Sequence, residues 1–311
     1  GKSQRMTTYD FIVVGAGSAG CVLASRLSED PRNRVLLLEA GGRDLNPMIH
    51  IPLLCGVLYP SKMSNWFYNS EPDPNLNDRE IFIPRGKTLG GSSSINGMVY
   101  IRGHARDYDI WRQSGCEGWS YDDVLPYFRR SEQHLDRGDD FHGEDGEVRV
   151  GRGTMENPLF DAFVGAGQAA GYPFTDDFNG AQQEGFGRYD FTIAKGRRQS
   201  TAVAFLKTAK KRSNLDIVTH AHTTRILFEG RRAVGVEYEK SGELNQATAA
   251  REVVLSAGAI NSPALLQLSG IGRVEDLADL GVPVVAESKG VGQNLQDHVA
   301  VYVQHLCTQP V

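Results

Sequence analysis

Apolar positions in this chain come in short runs, each closed by glycine, proline or charged residues. Phe11 to Val14 is the first such run. It is rich in β-branched residues, which predicts a strand covered on both faces. It leads directly into Gly15-Ala16-Gly17-Ser18-Ala19-Gly20, after which Val22, Leu23 and Leu27 recur at helical spacing. "SEDPRNR" is a polar turn, and "RVLLLEAGG" supplies a second apolar run that ends at Glu39. Together these predict a βαβ start over residues 7 to 44. "WSYDDVLPYFRRSEQHL" reads as a helix with Ser120 at the N-cap, Asp123 three residues on as a variant capping box, and Pro126 near the first turn. "NPLFDAFVGAGQAAG" reads as an amphipathic helix. "LDIVTHAHTTRILFEG" reads as a strand with His220 and His222 on one face, both structural. "REVVLSAGAINSPALLQLSG" repeats the opening logic of strand, small-residue turn and helix, so Ser256 to Gly258 would bring backbone close to a ligand.

The first glycine turn has the spacing of a dinucleotide fingerprint. Gly15 permits the tight turn, Gly17 lets a ligand approach the backbone, and Gly20 lets the helix pack on the strand. The free N–H groups at the helix start would then face a pyrophosphate. Glu39 follows the last glycine by ~20 residues, where the second strand presents a carboxylate to a ribose hydroxyl. These residues alone leave NAD and FAD both open. A second cluster, "PRGKTLGGSSSINGMVYIRG", is rich in glycine and serine and could wrap a phosphate or a polar ring with backbone N–H groups. It is not a linker, because apolar residues resume at once at Ile95, Met98, Val99 and Ile101.

Composition narrows the class. The chain has 311 residues, 40% hydrophobic and 23% charged, which suits a globular protein of two domains or one large one. A net charge of -5 gives no field to draw nucleic acid. The basic stretch "KTAKKR" reads as a solvated helix face. Cys21, Cys55, Cys116 and Cys307 lack C-x-x-C spacing and fit a reducing compartment, with Cys21 packed against the strand. No H-E-x-x-H pattern occurs, "DRGDDFHGEDGEV" fails the spacing of a calcium loop, and no metal site is expected. No apolar stretch is long enough to span a bilayer and no secretory signal is visible. The expected location is cytoplasmic, with peripheral contact on the inner face of a membrane left open. The opening "GKSQRM" reads as an appended leader before a natural Met6.

Two longer stretches carry a family resemblance. "GKTLGGSSSINGMVYIRGHARDYD" resembles the first signature of the glucose-methanol-choline (GMC) oxidoreductases, and "GAINSPALLQLSGIG" resembles the second. "DFNG", "GRRQSTAVAFL" and "GVGQNLQDH" match further, so the resemblance runs from Tyr9 to His298. Its texture is closest to the alcohol and choline dehydrogenase branch. The resemblance implies FAD rather than NAD, and oxidation of a primary alcohol. It implies that Gly15, Gly17, Ser18, Ala19 and Gly20 hold the pyrophosphate, that Glu39 binds the adenosine ribose, and that Ser92 and Ser93 lie against the phosphate-ribityl region. Asn96, Gly97, Met98 and Val99 would run along the isoalloxazine edge. Thr223 would offer main-chain contacts to adenine, where most relatives carry valine. Trp66 is a weaker candidate. Some relatives join a histidine covalently to the flavin at the position of Ile95, so non-covalent FAD is expected here.

The implied fold is α/β: a Rossmann-like FAD-binding domain with a partial α+β substrate domain. The expected division is 7–153 for the first part of the FAD-binding domain, with 45–80 as a lid or dimer-contact excursion. Residues 154–195 would belong to the substrate domain, 196–298 would return to the FAD-binding domain, and 299–311 would enter the substrate-domain sheet. The family's catalytic histidine is expected beyond residue 311, and His298 and His305 are poor substitutes. On this reading the chain is the N-terminal part of a longer enzyme and is inactive alone. The expected partners are an alcohol and a quinone or other electron acceptor. An oxidase using dioxygen, a lyase or photodecarboxylase on the same scaffold, and a non-enzymatic flavin-binding module are the alternatives.

Overall fold

The computed structural model describes residues 7–153, 157–298 and 300–309. Residues 1–6, on which the expectation of an appended leader falls, lie outside the described residues. The chain forms two compact units. The described parts of Gly1–Asn96 and Ser200–Asp297 make the first, and those of Gly97–Gln199 and His298–Val311 make the second.

The first unit is built on a six-stranded sheet. Its strands are β1 (Thr7–Val14), β2 (Val35–Leu38), β3 (Leu215–Val218), β4 (His222–Glu229), β5 (Arg232–Lys240) and β6 (Glu243–Leu255), in the order β3-β2-β1-β6-β5-β4. β3, β2, β1 and β6 run parallel, and β5 and β4 continue the sheet antiparallel. Ile12, Val13, Val35 and Leu37 are fully buried, as apolar runs covered on both faces should be. One face of the core joins Ile12, Val14, Leu36, Leu38, Ile226 and Val236 to Leu265 of helix α2 (Gly258–Leu268). Helix α1 (Ser18–Leu27) buries Cys21 and Ala24. Cys21 donates to the Ala16 carbonyl at 3.2 Å, and burial pushes its thiol up to about 12, which makes it a packing residue.

The run through His220 and His222 is not one strand. β3 ends at Val218, His220 adopts a positive φ of 54°, and β4 starts at His222. The intervening amides turn to the segment after β2, with His220 N bonded to Gly41 O at 2.8 Å and Ala221 N to Glu39 O at 2.9 Å. The basic stretch is not wholly solvated either. Arg212 donates to Ser25 O at 2.6 Å and to Ser28 Oγ at 2.9 Å, tying it to the end of α1.

The second unit is α+β in character. Strands Val99–Tyr100, Asp190–Phe191, Val148–Arg152 and Glu132–His134 form a four-stranded mixed sheet, accompanied by helices Ala105–Gln113, Tyr121–Ser131 and Pro158–Ala169. This non-local pairing sets the division at 96/97 rather than at 153/154, because 97–153 shares its sheet with 190–191. The Ser120–Asp123 capping box forms, but the helix stops at Ser131, and Glu132 and His134 turn inward on a strand. Residues 300–309 carry no strand. Among the described residues no helix is long and apolar enough to cross a membrane.

A buried ionic network holds the second unit. Arg102 donates to Glu132 at 3.0 Å. The His142 ring lies between Glu132, 3.1 Å from Nδ1, and Asp177, 2.9 Å from Nε2. Burial works against the imidazolium, but the bonds to Asp177 and Glu132 outweigh it and hold its pKa up at about 9. The folded state therefore binds the proton more tightly than the unfolded chain. The contribution is full below the ordinary value of 6.5 and disappears as pH rises to about 9. Melting temperature should fall across that window. His142→Ala should cost roughly 3–5 kcal/mol, as removal of one partner from a buried ion pair does, and should flatten the pH dependence there. Urea melts of both proteins at several pH values will measure this.

Candidate functional site

The parallel strands of the first unit end in one row, with Val218, Leu38, Val14 and Leu255 in register. Open α/β sheets bind ligands beyond such carboxyl ends. A cavity of about 830 Å³ lies there, and Gly15, Gly17, Ser18 and Ala19 line one part of it. Glu39, Ser92 and Thr223 line it as well.

The two glycine segments, far apart in sequence, meet backbone to backbone. Gly90 N donates to Ala16 O at 2.7 Å. A Cβ added at Gly91 would stand 2.6 Å from Gly17 Cα, and one added at Gly15 would stand 2.6 Å from the Ser256 carbonyl oxygen. The glycines are therefore required by close approach as well as by turn geometry. Gly20 does not line the cavity. It is buried against the Gly15 carbonyl, the packing role its place in the fingerprint predicts.

Two helix starts face the cavity. Gly17 caps α1 and Ala257 caps α2, neither with a side-chain cap bond, and neither helix has an acid in its first turn. Ser18, Ala19, Gly258 and Ala259 line the wall, so the open amides of both helices suit an anion. Glu39 is buried. Its Oε2 accepts from Ala16 N at 2.9 Å and its Oε1 from Gly41 N at 2.8 Å. Each oxygen keeps a second lone pair for a hydroxyl donor. Burial raises its pKa to about 7, although the two amides and Lys87 act in the opposite direction.

Other expected residues stand elsewhere. The Ser93 hydroxyl donates to Gly90 O at 2.6 Å and accepts from Thr201 N at 3.0 Å, pinning the second glycine segment to the π-helical turn Ala202–Leu206. Asn96, Gly97, Met98 and Val99 are not cavity residues, and the last three fold with the second unit. Met98 takes a positive φ of 63°. Ile95 is buried against Ile49 and Leu58.

Sequence reasoning gave little weight to an aromatic wall. Trp66 stacks on Tyr68 with centroids 5.8 Å apart, His222 packs on Trp66 at 5.6 Å, and Lys87 Nζ lies 4.3 Å from the Trp66 ring centre. Trp66, Tyr68 and His222 line the cavity, as does Arg85. The only signal in "SNWFYNS" is the alternation of Trp66 and Tyr68.

Potential metal ligands also come together. Glu132, His134 and His142 bring their ligand atoms within 4.8 Å of one another, as do Asp139, His142 and Asp177. Their atoms are committed: both His142 nitrogens face carboxylates, His134 Nε2 pairs with Asp190 at 3.2 Å, and Arg102 neutralises Glu132. The ligand atoms of both histidines are thus already taken up by hydrogen bonds within the network.

The cavity fits a dinucleotide. It offers a glycine cradle without Cβ atoms, two open helix starts for a pyrophosphate, and a carboxylate for a ribose. Thr223 Oγ1 and Ser256 Oγ, beside the cavity, are buried and have no hydrogen-bond partner among the described residues.

Comparison with known proteins selects the dinucleotide. Residues 9–300 match the family model described as GMC oxidoreductase. The mitochondrial choline dehydrogenase of Mus musculus is 53% identical over 97% of this chain and 52% of its own length. The oxygen-dependent choline dehydrogenase of Sinorhizobium fredii is 52% identical over 97% of this chain and 55% of its own. Thus the chain spans about half the length of the curated relatives it matches. Among solved structures, pyridoxine 4-oxidase from Mesorbium loti superposes with a TM-score of 0.86 at 36% identity, covering 90% of this chain and 55% of that one. An FAD-dependent oxidoreductase from Chaetomium thermophilum gives 0.87 at 33% identity, covering 93% and 52%. Matched along nearly all its length and folded so that its two glycine segments touch, the chain belongs to the GMC oxidoreductase family of FAD enzymes.

Proposed function

We propose that this chain is the flavin-binding portion of an enzyme that oxidises a primary alcohol to its aldehyde, with choline as the leading substrate. The observation that carries this reading is the identity of about half over 97% of the chain to choline dehydrogenases. When bound, FAD supplies the hydride acceptor, flavin N5. The chain's own residues bind and orient it. Gly15, Gly17 and the amides of Ser18 and Ala19 take the pyrophosphate, and Glu39 takes the ribose hydroxyls. Ser92 takes the phosphate-ribityl region, with Ser93 as the residue that holds this segment in place. We assign the proton acceptor to sequence that the relatives carry beyond the matched stretch, since a base near neutral pKa is needed and His298 and His305 belong to no such motif.

Anaerobic titration of the full gene product, loaded with FAD, tests this. Choline should bleach the flavin's visible absorbance, and medium-chain and aromatic alcohols should do so more weakly. A flavin that stays oxidised with every alcohol would contradict the reading and favour a lyase or photodecarboxylase. Dioxygen as acceptor is the second reading for the oxidative half, favoured by the names of the oxygen-dependent relatives and of the pyridoxine oxidase. Stoichiometric peroxide on admitting air identifies it, whereas quinone reduction without peroxide identifies a dehydrogenase.

A further inference from the structure

We propose that Thr201 is a positioning residue for the bound cofactor: together with Ser93 it holds the second glycine segment in its cofactor-binding shape before any cofactor arrives. This rests on FAD occupying the cavity of the first unit.

Gly91 and Ser92 line the cavity, whereas the residues on either side of them, Gly90 and Ser93, do not. Those two flanking residues carry the bonds that fix the segment. Gly90 N donates to Ala16 O at 2.7 Å. The Ser93 hydroxyl donates to Gly90 O at 2.6 Å and accepts from Thr201 N at 3.0 Å. The hydroxyl oxygens of Ser93 and Thr201 also lie 3.0 Å apart. Because the Ser93 proton is committed to Gly90, Thr201 is the donor in that pair. Thr201 thus reaches Ser93 twice, once through its main chain and once through its side chain.

Thr201 stands on a packed platform. It is the N-cap of the π-helical turn Ala202–Leu206, in which Ala202, Phe205 and Leu206 are buried. Such turns are rare and recur at functional sites. The Phe205 ring lies 5.8 Å from the guanidinium carbon of Arg26 on α1, the helix that the first glycine turn opens. Ala202 Cβ lies 3.3 Å from where a Cβ on Gly90 would stand. The turn therefore touches the helix of the first glycine segment and the backbone of the second. Thr201 itself does not line the cavity, so its effect on a cofactor passes through Gly90 and Ser93. A segment already held in its bound shape loses little conformational freedom when the ligand arrives. Each residue that had to be ordered at binding would lower affinity by about fivefold to thirtyfold.

The test uses three variants. Thr201→Val removes the side-chain bond and keeps the main-chain one, Thr201→Ser keeps both, and Ser93→Ala removes both. FAD is titrated into flavin-stripped protein. Amide hydrogen exchange of the stripped protein reads the order of residues 86–94, with helix α2 as the internal reference. Thr201→Val should bind FAD about threefold to tenfold more weakly, the loss of one neutral hydrogen bond. Ser93→Ala should bind it about tenfold to hundredfold more weakly. In both, residues 86–94 of the stripped protein should exchange faster by about the same factor, α2 should not change, and FAD should slow the exchange again. Thr201→Ser should match the unsubstituted protein. Should Ser93→Ala fail to fold, Thr201→Val carries the test alone. Unaltered FAD affinity in Thr201→Val would overturn the proposal, as would weaker binding without faster exchange at 86–94. Faster exchange across α2 as well, or a loss that Thr201→Ser shares, would also overturn it, because either marks a structural role only. If the unsubstituted protein takes up no FAD, the cofactor assignment fails and the proposal fails with it. That outcome is distinct, because it appears before any variant is made.

Discussion

Gly91→Ala should leave a folded protein that no longer retains FAD. Gly91 has a φ of +54°, in the left-handed region, and its added Cβ would lie 2.6 Å from Gly17 Cα. A side chain in that conformation costs about 1–2 kcal/mol. Separating two packed backbone segments costs about 1–3 kcal/mol more. Neither segment can yield through a flexible side chain, because the contact is between main chains. The strain therefore falls on the cradle that meets the pyrophosphate, and FAD affinity should drop by roughly 30-fold to several thousandfold. Gly165→Ala is the control. It lies inside helix Pro158–Ala169 of the second unit with open space around the new Cβ, so it should gain up to about 1 kcal/mol of stability and leave FAD binding alone. Equilibrium dialysis with FAD and thermal melts of both variants measure the contrast.

The second large effect is at Glu39. Glu39→Gln keeps the shape but can satisfy only one of the two amides, Ala16 N and Gly41 N, that its oxygens now accept. The amide group of the new side chain would face the other N–H, donor against donor. An unsatisfied buried donor costs about 1–3 kcal/mol, and the charged acceptor for the ribose is lost too. FAD should bind about 10- to 100-fold more weakly. The same substitution should remove a pH dependence. Burial raises the Glu39 pKa from 4.5 to about 7, so the folded chain holds a proton that the unfolded chain has released. Stability from this group is full below pH 4.5, declines as pH rises to about 7, and is flat above. Melts of the flavin-free protein across that window should slope downward with pH, and those of Glu39→Gln should not show this component.

What could be seen in the sequence was local. Phe11 to Val14, the glycines after it and Glu39 form one contiguous βαβ pattern, and the strand, the helix and the buried carboxylate appear where that pattern puts them. The Ser120 cap and the repeat of strand, turn and helix at 243–268 are equally local. What could not be seen was set by distant pairing. The inward turn of Glu132 and His134 depends on the strand Val148–Arg152, and the break at His220 depends on carbonyls at Glu39 and Gly41. The Ser93 hydroxyl looks like a ligand group until Thr201, more than a hundred residues away, takes it up. The aromatic wall of Trp66, Tyr68 and His222 joins two segments that carry no shared motif.

Small residues from two separate segments of the chain hold a single FAD, on the reading proposed above. Acid precipitation of natively purified protein, with mass spectrometry of the supernatant, tests it most directly. On the proposed reading the FAD is held without a covalent bond, since Ile95 is packed against Ile49 and Leu58 and carries no group that could bond to it, so one FAD per chain should be released and the pellet should be colourless. A nicotinamide dinucleotide in the supernatant, or a yellow pellet retaining its flavin, would contradict it.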